Sequence, residues 1–360
     1  MRAARWLLLI PAVPVAALVV AELVGDWALG VRVVRPDPPP EPAPALSPDT
    51  PADPTAASAG LFLQSLATAV RDGRASAADG FDADRFHAAV ARSATFRAAG
   101  IPTDPVGGPV RARVALVDAV RAGGPGLAAD AVEVRRVVPG TGADEFVVAA
   151  RHRLGGRAGS YRWWLVRTPD GWKAFDLEDV RTGARLSRQA AVQFAGGLSA
   201  GAKAGLAALG PAAEKLAAGD PDGAATALAP ARTAALPRDG YAVRCLVEGG
   251  VAAVKGRTTE AREWADRADA AAPGMPATDY LRAAAAAAAG EWEEVIGPAR
   301  AYLDAVGPDA PAARLLGTAL HELGRPAEAV AAFELGLRDD PTRADLRAAR
   351  DHALALAGGR

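Results

Sequence analysis

Three glycines, Gly256, Gly290 and Gly324, stand 34 residues apart near the end of the 360-residue chain. Around each of them small and apolar residues recur at three- and four-residue spacing, with a proline further on. A unit of this length holds two short helices and a turn, and one such hairpin cannot bury its apolar face alone. Stacked units close the core, so this part of the chain is expected to form a quasi-linear array of helix pairs.

The last unit is the clearest. From about Ala310 it runs through Leu316, Gly317, Leu320, Gly324 in the turn, Ala329, Phe333, Gly336 and Pro341. The Leu316–Gly317 pair, Leu320, the small Ala329, the aromatic Phe333 and the closing Pro341 resemble the tetratricopeptide repeat in order and spacing. Gly336 stands where alanine is usual in that family. The physics agrees: Ala329 lets the two helices approach, Phe333 fills the space between them and Pro341 stops the second helix. Around Gly256 the matching residues are Gly249, Ala252, Ala261, Ala265, Ala268 and Pro273; around Gly290 they are Trp292, Val295, Ala299 and Tyr302, with Pro308 one place late. A fourth unit about Gly219 has a longer spacing and carries Pro211 in its first helix. The segment after Thr342, with Arg343, Arg347 and Arg350 on its polar side, reads as a cap helix.

The resemblance implies an all-α solenoid over 211–360 whose concave surface, lined by first helices, takes a protein or peptide partner. On this register the groove comprises Val243, Leu246, Val254, Tyr280, Arg314, Thr318, His321 and Glu322, with Tyr280, Arg314 and His321 as the leading contact residues. The lysine/asparagine set with which chaperone-binding members of the family clamp a C-terminal carboxylate is lacking.

At the other end of the chain, Arg2 and Arg5 precede an uncharged apolar run from Trp6 to Ala21, which continues past Glu22 to about Gly25. Residues 1–30 are therefore expected to be a signal anchor, a transmembrane helix with residues 6–25 in the lipid bilayer, the N-terminus cytoplasmic and the bulk extracytoplasmic, periplasmic in a bacterium. Cleavage and secretion are the alternative. Residues 31–58 are proline-rich and read as an extended tether.

Between tether and repeats, Leu61–Arg71, Asp84–Ala99 and Val110–Val120 have helical spacing. The period then changes to alternation in Ala131–Val138, Asp144–Leu154, Ser160–Thr168 and Trp172–Asp179, divided by turn-forming residues. Helices followed by a meander predict an α+β domain over 59–187, a curved antiparallel sheet packed on helices, with a connecting helix over 188–210. With its tryptophan-rich last hairpin, Ser160 to Asp179, this region resembles the nuclear transport factor two-like superfamily. That resemblance implies a cone-shaped fold used by enzymes and by non-catalytic binding domains alike, so it selects no activity.

Ordinary hairpins would place His152 opposite Tyr161 and Tyr161 opposite Glu178, with Ala150, Trp163 and Asp176 in the next row. His152, Tyr161 and Glu178 are then candidates for an acid/base relay at the cone mouth. The competing reading makes Phe146, Val148, Ala150, Trp163, Leu165, Trp172 and Ala174 a packed inner face, with the polar groups at its edge structural.

Composition narrows the function classes. The 41 basic and 42 acidic side chains nearly cancel, which argues against nucleic acid as a partner. Cys245 is alone, and His87, His152, His321 and His352 are scattered, so no metal site is expected. Nucleotide-loop, nucleophile-elbow, dinucleotide and zinc-helix motifs are lacking, and no cofactor is expected. The reading that results is a membrane-anchored, extracytoplasmic tetratricopeptide-like scaffold for protein–protein interaction, more a non-enzyme than an enzyme. The alternative is small-ligand binding or acid/base chemistry in the α+β domain, with the repeats as a targeting arm.

Overall fold

The computed structural model describes residues 54–93, 96–97, 107–121, 127–154, 157–194 and 198–358. Among the described residues the helices α1 (Pro54–Arg71), α2 (Ala83–Arg92) and α3 (Gly107–Arg121) precede the sheet. A five-stranded antiparallel meander follows, β1 (Ala131–Pro139), β2 (Glu145–Leu154), β3 (Arg157–Thr168), β4 (Gly171–Asp179) and β5 (Ala184–Arg185), with strand order equal to chain order. Helix α1 takes in residues 54–58, which composition assigned to the tether, because Pro54 at a first helical position needs no amide partner.

One sheet face closes a core with these helices. Val148, Ala150, Tyr161, Trp163, Leu165, Ala174 and Leu177 meet Leu63, Leu66, Phe86, Val90 and Leu116 there, with Phe146 and Trp172 packed at its margin. Polar ties fix α1 to the sheet: Gln64 Oε1 accepts from the Val132 amide at 2.7 Å, and Trp172 Nε1 donates to Ser58 Oγ at 3.2 Å.

Helix α4 (Leu186–Phe194) leads to α5 (Ala200–Ala217), so two helices occupy the place of the one expected connector. Pro211 lies inside α5, which runs through it. Then come α6 (Pro221–Ala227) and α7 (Ala229–Thr233), and three antiparallel helix pairs: α8 (Arg238–Val254) with α9 (Thr258–Ala271), α10 (Pro276–Ala289) with α11 (Trp292–Val306), and α12 (Ala310–Glu322) with α13 (Pro326–Asp339). Helix α14 (Ala344–Gly358) covers the last pair. The three turns within the pairs are made alike, with Gly256, Gly290 and Gly324 at φ of 70°, 74° and 70°, a left-handed backbone that closes a helix end without a Cβ clash. Buried Ala261, Ala265, Ala299 and Ala329 keep the helices close, and a Cβ on Gly317 would stand 2.5 Å from the Phe333 ring.

The architecture expected from sequence, headed by a transmembrane helix, is corrected by the fold. Among the described residues no helix is long and apolar enough to cross a membrane. The two longest, α1 and α5, have 18 residues each; α1 sends only one side into the core and α5 carries Lys203, Glu214 and Lys215. The segment to which the span was assigned, residues 6–25, lies outside the described residues, as do 31–53 of the tether.

Candidate functional site

A β-bulge decides which face of the sheet carries the carboxylates of β4. In β4, Leu165 pairs with Ala174 but Trp164 pairs with Asp176, so Phe175 is an extra residue. Beyond it the register is shifted by one: Tyr161 lies opposite Asp179, Trp163 opposite Leu177 and Arg162 opposite Glu178. In the β2–β3 hairpin His152 lies opposite Gly159 and Ala150 opposite Tyr161. A one-residue slip exchanges faces, so Asp176 and Glu178 stand on the face away from His152, Tyr161 and Trp163.

His152 and Tyr161 do come together, with ring centres 4.8 Å apart, in the core shared with the helices. Trp163 Nε1 donates to His152 Nε2 at 3.0 Å, so that nitrogen is unprotonated and the neutral ring carries its proton on Nδ1. Glu178 is not part of this group, and the three residues form no relay. Burial, and secondarily Asp179, pushes the Tyr161 phenol up to about 12. An unfolded tyrosine ionises near pH ~10, so the neutral phenol stabilises the fold up to that pH and the contribution is lost as pH rises from there toward the folded value. The tyrosinate absorbance of the wild type should accordingly exceed that of Tyr161→Phe only near the upper end of this window; a difference already present near the ordinary tyrosine range would contradict the burial.

The opposite sheet face meets the helix pairs, and it is ionic. Asp339, at the end of α13, receives both Arg135 (2.8 Å) and Arg151, and accepts from the Ala310 amide at 2.9 Å. Glu178 pairs with Arg162 at 2.7 Å, and Arg162 also donates to the Gly274 carbonyl in the turn after α9. Asp176, fully buried, takes Arg185, the Ser187 hydroxyl and the amides of Leu177 and Ser187. The Arg185 guanidinium carbon stands over the Trp164 ring, 3.7 Å from its centre. Burial pushes the Glu178 carboxyl above its ordinary range, against the pull of Arg162 and Arg185. Both turns that join one helix pair to the next thus touch the sheet, Gly274 through Arg162 and Gly307 beside Arg135, and the end of α13 does so at Asp339 through Arg135 and Arg151.

The residues assigned to a partner groove are not gathered on one open surface. Leu246 and Arg314 are buried, and Val254 packs against the core formed by α5, α6 and α8. Tyr280 lies against Tyr302 with ring centres 5.3 Å apart, and His321 lies 5.1 Å from His352 of the cap helix. Thr318 is half-buried and Glu322, one turn on, is exposed. The repeat residues Leu316, Leu320, Ala329 and Phe333 are buried, Gly317 and Gly324 hold the close approach and the turn, and Pro341 follows α13. Sequence reasoning missed the arginine–carboxylate face, since Arg151 and Arg162 alternate with apolar residues as solvent-facing strand residues do. Among the described residues no group of three or more His, Cys, Asp or Glu is placed to hold a metal ion. No family model, no curated protein and no solved structure matches this chain.

Proposed function

We propose that this protein is a non-catalytic interaction module in which the helix-pair array holds a protein or peptide segment and the sheet domain braces the array from one side. The observation that carries this reading is the threefold repetition of one hairpin, with identical left-handed glycine turns and small residues at the helix crossings. Such arrays present long surfaces at little cost in new folds. The tetratricopeptide-like order of residues from Leu316 to Pro341 supports a peptide as the partner's form. A location outside the cytoplasm, at a membrane, is supported by the order of charge and apolar residues in 2–25 alone.

The sheet seats on the array through buried ion pairs, so removing either half would leave charges uncovered, and the test uses the full chain. Glu322→Arg alters an exposed position of α12, and Thr318→Arg a half-buried one a turn away. Each should reduce recovery of a defined, cross-linked partner at least about tenfold, the effect of one lost desolvated contact, with circular dichroism unchanged. Equal recovery by both variants and the wild type would reject this surface. The acid/base alternative has no comparable support, because its carboxylate stands on the other face of the sheet.

A further inference from the structure

Where α2, α4, the start of α8 and the turn after α9 meet, a cavity of about 360 Å³ is lined by Arg92, Arg97, Arg185, Arg188 and Arg238, with Asp239 the one acidic residue among its described lining. The whole chain is close to neutral, at −1. This concentration of guanidinium groups is therefore local and does not follow from composition. Among the described residues Asp239 and Asp176, the carboxylate behind Arg185, offset two of the five positive charges.

The five groups are differently held. Arg185 is fixed by Asp176 and by stacking on Trp164, and Arg238 is anchored on the Ala270 carbonyl. Arg188 reaches Asp239 with its Nε at 3.5 Å, while its Nη1 is buried with no hydrogen-bond partner among the described residues. Arg92 and Arg97 are exposed and their guanidinium groups make no ion pair with the described residues. Guanidinium groups gathered around one cavity repel one another, and an anion among them relieves that repulsion. Guanidinium forks match tetrahedral oxyanions, which offer several acceptor oxygens at once. The volume lies near the lower end for small-molecule sites, about 300–1,000 Å³.

We propose that this cavity binds a phosphate group, either free or as the monoester headgroup of a larger molecule. The site is separate from the surface proposed on α12 and does not depend on it. With the full-length protein, inorganic phosphate should raise the melting temperature saturably, and chloride at equal ionic strength should not. Arg92→Gln and Arg97→Gln, which disturb no packing, should each weaken the effect about tenfold, the usual loss for one charge-assisted hydrogen bond. Arg188→Gln should weaken it further, and Arg350→Gln, at the far end of the chain, should leave it unchanged. Sedimentation with phosphatidylcholine vesicles containing phosphatidate separates the sources: vesicle binding that the Arg92 and Arg97 variants lose, without a response to free phosphate, assigns the group to a lipid. No response to phosphate beyond that to chloride together with no vesicle binding, or responses equal in variants and wild type, would overturn the proposal.

Discussion

Asp339→Ala is expected to lower the stability of the folded chain by about 3–5 kcal/mol, the range found when one partner of a buried ion pair is removed. Asp339 is 5% exposed and the Arg135 side chain 7%. Loss of the carboxylate leaves Arg151 facing Arg135, which keeps only the exposed Glu133 at 3.0 Å, and frees the Ala310 amide at the start of α12. The variant should unfold at lower denaturant concentration, and its transition should broaden or divide as sheet and array lose their tie. Asp304→Ala, 3.7 Å from Arg136 but 77% exposed at the side chain, is the matched control and should change stability by at most about 0.5 kcal/mol. Equal midpoints for the two variants would show that the ionic face does not hold the halves together.

Phe333→Ala should cost a comparable ~3–5 kcal/mol by leaving a cavity at the crossing of α12 and α13. The ring is almost wholly buried and lies against Gly317, where no Cβ intervenes. Its effect should be local: amide exchange should accelerate in α12, α13 and α14, and the protection of β2 and β3 should fall only to the extent that Asp339 is displaced. Phe333→Leu should restore much of the loss, because the same space is partly refilled. Uniform loss of protection through sheet and array alike would mean that Phe333 is not the keystone of one hairpin.

The hairpin turns were legible because glycine at a left-handed position leaves a periodic mark, and Gly256, Gly290 and Gly324 are 34 residues apart. The long strands were legible from composition: aromatic, β-branched and small apolar residues run through 146–150 of β2, and turns bound the strand. Register was not. The turn after Thr168 sets Thr168 opposite Gly171 and Leu165 opposite Ala174, as an ordinary hairpin would, and the bulge at Phe175 then moves Asp176 and Glu178 to the other face. Nothing in the local sequence marks that bulge, since Ala174, Phe175 and Asp176 would each fit an unbroken strand. The groove assignments failed to converge for a different cause. Spacing assigns a residue to a helix face, but whether that face is open depends on its neighbours: Tyr302 covers Tyr280, and the cap helix brings His352 to His321. The arginines of the phosphate cavity come from the end of α2 and the segment after it, from β5 and α4, and from the start of α8, and no short motif could have joined these three stretches of chain.

The most direct test of the interaction reading is photo-cross-linking in the native cell from a reactive residue placed at Thr318 of the full-length protein, with the same group at Val114, an exposed position on α3, for comparison. The account predicts one recurring protein adduct from Thr318 that is lost when Glu322→Arg is added, and none from Val114. Adducts from Val114 alone, or the same diffuse products from both positions, would contradict it.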